Sequence, residues 1–87
     1  MDEGLAAAAR RFPNRLPALE MLAAADEAFR LLCADLAEAE AALQRWRASA
    51  STARDRRCLE YEDLVESLAG EIAIYLDAAK AGASDAR

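Results

Sequence analysis

Between positions 45 and 57 the chain carries Arg45, Arg47, Arg54, Arg56 and Arg57, with Trp46 among them and only Asp55 opposing them. Guanidinium groups at that density can grip carboxylates, phosphates or RNA. Three readings compete for the cluster. It can be a solvated helix tip, a contact between subunits, or a handle for an acidic protein segment, a phosphate or RNA. Nucleic acid is the weakest of these, because a single arginine cluster comes without aromatic platforms or a glycine loop.

Carboxylates recur at helical spacing, Asp35 with Glu38 and Glu62 with Glu66. In isolation such pairs read as solvated faces rather than metal ligands. There is no histidine. That removes imidazole acid–base catalysis, nucleophilic triads and the Glu-x-x-His ligands of di-iron bundles. Cys33 and Cys58 form no Cys-x-x-Cys pair and read as reduced packing residues, not zinc ligands. Tyr61 and Tyr75 fall where core packing explains them. No glycine-rich phosphate loop occurs. The expectation is therefore a protein with no catalytic, metal-binding or cofactor-binding residues, and no enzyme.

The elements that carry these groups are helical. Hydrophobic residues make up 55% and charged residues 31%, too apolar for a disordered chain. Alanine supplies roughly a quarter of the residues, and only three glycines and two prolines interrupt them. Eighty-seven residues make one domain at most. The formal charge of -5 disfavours nucleic acid and anionic membranes as partners. No apolar run is long enough to span a bilayer, and the first residues lack a signal-peptide core, which points to the cytoplasm.

From Leu22 to Trp46, apolar residues recur at steps of three and four: Leu22, Ala25, Phe29, Leu32, Leu36, Ala39, Leu43 and Trp46. That spacing draws a seam along one side of a helix. It predicts one long helix over about 15–49, with Asn14 as its cap and Pro17 in its first turn. Ser49 to Ala53 breaks it, and Thr52 to Asp55 resembles a capping box. A second helix over about 53–81 carries the seam Cys58, Tyr61, Val65, Leu68, Ile72, Tyr75 and Ala79. Gly82 reads as its stop, with 82–87 a disordered tail. A short helix over about 3–12 precedes both, either lying across the bundle on Leu5, Ala8, Ala9 and Phe12 or fraying as a tail. The pattern resembles small bacterial helical hairpins in general form, a likeness that implies no activity.

Folding at Ser51 sets Leu36 against Leu68, Phe29 against Tyr75 and Ala25 against Ala79, every layer apolar. The same register keeps Cys33 and Cys58 too far apart for a bridge. Leu31, Leu59 and Ile74 fall outside the stripe, with Leu31 and Ile74 at nearly one level. Such leftover surface predicts a partner. The reading is all-α: a long antiparallel hairpin that pairs into a four-helix-bundle dimer and binds another protein as an adaptor, assembly factor or regulator. The expected interaction residues are Leu31, Ile74 and Leu59 with Arg45, Arg47, Arg54, Arg56, Arg57 and Trp46. The alternatives are a monomer whose N-terminal helix covers the gap, a bundle holding a small molecule near Phe29, Tyr75 and Cys33, and weak nucleic-acid or phosphate binding at the arginine turn.

Overall fold

The computed structural model describes the backbone of residues 1–85 and the side chains of residues 1–82. They form a helical bundle with no strand among the described residues. Helix α1 spans Glu3–Arg11, a single 3-10 turn covers Pro13–Arg15, α2 spans Leu16–Ala25, α3 Glu27–Arg47 and α4 Arg54–Asp85. The molecule measures 56 × 22 × 21 Å, with α4 along its length.

Local signals account for most boundaries. Asp2 caps α1 by accepting from the Leu5 amide at 2.7 Å, and Arg10 and Arg11 close the helix where its dipole favours cations. Pro13 and Pro17 separate α1 from α2. Asn14, expected as a cap, instead lies exposed inside the 3-10 turn. Arg15 takes the cap position without a side-chain bond there.

The expected single helix over 15–49 is broken at Asp26. Its backbone turns extended (φ -138°, ψ 110°), and its carboxylate accepts from the Phe29 amide at 3.2 Å, starting α3 afresh with Glu27 in the first turn. Asp followed by Glu is a helix-start pair, and the unbroken three-four pattern of apolar residues hid it. Arg30 reaches back to donate to the Ala23 carbonyl at the end of α2, which supplies a partner for a terminal acceptor. The break turns α2 away from the axis of α3. Leu19, outside the expected seam, is wholly buried, and Ala25, expected in it, is exposed.

Helices α3 and α4 lie side by side in opposite directions, joined through residues 48–53. The Ser49 hydroxyl accepts from the Ser51 amide and the Ser51 hydroxyl from the Ala53 amide, so Ser51 rather than Thr52 supplies the polar support of the turn. Along the pair, the Phe29 and Tyr75 rings meet edge to face with centroids 5.2 Å apart. Phe29, Leu36, Ile72, Leu76 and Leu19 form the fully buried centre. Each contributes on the order of 1.5–3 kcal/mol by leaving water. Gly82 does not stop α4, which continues to Asp85; no glycine takes the positive φ that a glycine stop uses. Of the expected tail, residues 86–87 lie outside the described residues.

Helix α1 packs against α3 through small residues. Gly4, Ala7 and Ala8 are buried, with Leu5, Ala9 and Phe12 partly so. A Cβ on Gly4 would stand 2.8 Å from the Ala34 nitrogen and 3.0 Å from the Cys33 carbonyl carbon, so glycine is what lets the two backbones approach. Gly4 and Ala7 extend the buried face beyond the expected one. They were missed because neither carries much hydrophobic signal. Arg10 pairs with Glu40 at 3.4 Å and Arg11 with Glu66, pinning the end of α1 over both long helices.

Candidate protein-interaction surface

Helices α1 and α2 cover one side of the α3–α4 pair and leave the other open. On the open side, Leu31 and Ile74 are 59% and 67% exposed. They share a shallow depression of about 430 Å³ floored by Ala28, Leu32 and Tyr75 and edged by Asp35 and Glu71. A longer concavity of about 660 Å³ continues from Asp35 toward the turn, between Glu38, Ala42 and Arg45 on α3 and Tyr61, Leu64 and Leu68 on α4, with Glu3 of α1 also reaching its lining. Arg57 and Glu60 close its far end, against the same Tyr61 and Leu64. Together they make one groove: apolar along its floor, acidic around Asp35, Glu38 and Glu71, and basic at Arg45 and Arg57.

The arginine tip is partly neutralised. Arg47 pairs with Glu62 at 3.3 Å, and Arg57 pairs with Glu60 at 2.9 Å while its guanidinium stands 5.8 Å from the Trp46 ring centroid. All these pairs are solvated and weak. Arg45, Arg54 and Arg56 form no ion pair among the described residues.

Leu31 therefore meets Ile74, and Trp46 meets Arg57, but the two groups do not join. Leu31 and Arg45 are fourteen residues apart on one helix, or about 21 Å. Leu59, 64% exposed, lies two positions from Tyr61 and so points to the far side of α4. The residues that link patch and tip, Leu64, Leu68, Ala42, Glu38 and Asp35, were not among the expected interaction residues. Their signal was available: Arg57, Tyr61, Leu64, Leu68 and Glu71 follow at steps of three and four.

Comparison with protein families, with curated proteins and with solved structures finds no match. The chemistry of the surface must stand on its own residues. The carboxylates of the groove are spread along it, and among the described residues no three His, Cys, Asp or Glu converge to hold a metal ion. Cys33 is buried at 2% exposure, and both cysteines are free thiols. Burial, reinforced by the negative charge of Asp2, pushes the Cys33 thiol up to about 11. It stays protonated at neutral pH and acts as a packing group. Phe29 has no exposed surface, so its own neighbours fill the volume between it, Tyr75 and Cys33. No described helix is long and apolar enough to cross a membrane.

Proposed function

We propose that this chain is a non-enzymatic helical interaction module. It works in the cytoplasm as a homodimer and binds a further protein as an adaptor, assembly factor or regulator. The observation that carries this reading is the open side of the α3–α4 pair, where Leu31, Leu64 and Ile74 stand 59%, 44% and 67% exposed in one line of depressions. Apolar side chains gathered on the side that α1 and α2 leave largely uncovered are the mark of a surface that binds protein. Leu59, on the opposite side, stands apart from this surface.

Sedimentation equilibrium at micromolar concentration tests the first half. A species twice the 9.4 kDa chain mass is expected, and a monodisperse 9.4 kDa species overturns the dimer. Phosphate or nucleic-acid binding at the turn is the second reading, favoured by Arg54 and Arg56, which form no ion pair among the described residues, and opposed by the net charge of -5. It requires RNA affinity that falls steeply with salt and is abolished by Arg54→Glu with Arg56→Glu. The small-molecule bundle has no comparable support, since Phe29 is wholly enclosed.

A further inference from the structure

The groove has an order of charges that selects its occupant. On α4, Arg57, Leu64 and Glu71 follow at intervals of seven, and on α3 Glu38 and Arg45 are separated by the same seven. All five line the connected depressions of the open side. Seven residues are two helical turns, so each set lies on one stripe and spans about 10.5 Å per interval. Each helix thus offers the groove a guanidinium toward the turn and a carboxylate away from it, with Leu64, or Ala42, between the two.

We infer that this groove receives the same groove of a second copy, antiparallel about a two-fold axis at Leu64, so that Arg45 and Arg57 of each copy meet Glu38 and Glu71 of the other. The inference rests on the homodimer reading above and adds its face and register. An axis at Leu64 exchanges Arg57 with Glu71 in both directions at once, as an isologous interface requires. On α3 the axis falls beside Ala41 and Ala42, small residues that let two helices approach. Two competing arrangements are penalised by charge. A parallel arrangement sets arginine on arginine, and an axis moved to Leu68 sets Glu38 against its own copy and Asp35 against Glu40 while leaving Glu71 opposite Val65. Flanking charges on paired helices choose orientation in this way. The groups are available: Arg45 has no ion pair among the described residues, and Arg57 holds only a solvated one. A bound cation is no substitute occupant, because the carboxylates do not converge. In this register Leu31 and Ile74 fall level with the mate's turn, opposite its residues 52 and 54, at the edge of the interface.

Two charge-reversed variants of the full chain test this by sedimentation. One carries Arg45→Glu with Arg57→Glu, the other Glu38→Arg with Glu71→Arg, and all four positions are exposed. Each variant alone is expected to lose self-association at least tenfold. Mixed, they restore a one-to-one heterodimer near the wild-type affinity, because reversed ends match. If the wild type dimerises and either variant does so equally well alone, this register is overturned and the dimer stands. If the wild type is monomeric, both readings fall. Should a variant lose its helical circular dichroism, Leu64→Cys in a Cys58→Ser background decides. A short bifunctional thiol reagent then links copies through Leu64→Cys but not through Ile74→Cys, and the opposite result overturns the inference.

Discussion

The two sides of the α3–α4 pair are built on opposite principles. On one, α1 lies so close that Gly4 has no room for a methyl group, and the contact is made by Gly4, Ala7 and Ala8. On the other, Leu31, Leu64 and Ile74 are large, apolar and exposed. The covered side thus uses residues with little hydrophobic area of their own, and the open side keeps residues with a great deal. At the α1–α3 contact, residue size sets how closely the backbones approach, while the shared core beneath is built from large side chains such as Phe29, Leu36 and Leu19. Small side chains allow backbones to approach and gain dispersion along the contact, whereas large ones need a partner's holes to fill.

Substitutions can break or sharpen this contrast. The largest effect is expected at Leu36, fully buried between the sides: Leu36→Ala costs about 2–5 kcal/mol in chemical denaturation. Ile74→Ala on the open side should change the stability of the isolated chain by less than about 0.5 kcal/mol. Equal losses at the two positions would mean that the open side is packed after all. Next come the glycines. Gly4→Ala forces a Cβ into the backbone of α3 and should destabilise by about 1–3 kcal/mol despite its better helix propensity. At Gly70, exposed with nothing within 4 Å, the same substitution should stabilise by up to about 1 kcal/mol. The opposite signs are the point, and a gain at Gly4 would show that α1 packs loosely.

Smaller again is Asp26→Ala, which removes the cap that starts α3 and should cost roughly 1 kcal/mol, with α2 loosened first in hydrogen exchange. The last effect belongs to Cys33, beneath α1. Its thiol is held at about 11 when folded, against an ordinary 9.0. Below pH 9 both folded and unfolded chains keep the proton, and the contribution is intact. Between pH 9 and 11 the unfolded chain loses it first, so stability declines as pH rises. Cys33→Ala should flatten that alkaline decline. At pH 8, a maleimide should label half-buried Cys58 well before Cys33, and equal rates would show that α1 opens readily.

Much of the helical content was legible because periodicity, prolines and serines each act locally. Pro17 marked the start of the helical run after the first short helix, and Ser49 to Ala53 the turn. The break at Asp26 was not read, since the apolar steps of three and four run straight through it. A cap competes with continuation at a cost of only about 1 kcal/mol, and packing of Leu19 tips that balance. Gly82 failed as a stop because a glycine stop needs the chain to turn back with positive φ, and Gly82 keeps the helical conformation within α4. At the surface, Leu31 and Ile74 were recognised by falling off the stripe. Leu64 and Glu38 were passed over because each also fits an ordinary helix flank, and Leu68 because it fits the seam; only their placement along one groove joins them.

By itself the sequence determined that the chain is helical, where its polar turn lies and which residues carry charge, because these follow from interactions within a few residues. The tertiary structure decided that α2 bends away at Asp26, that α1 occupies one side of the long pair, and hence which side remains open. Those outcomes depend on burial summed over distant parts of the chain, where alanine and glycine contribute through close approach rather than through any pattern visible along the sequence.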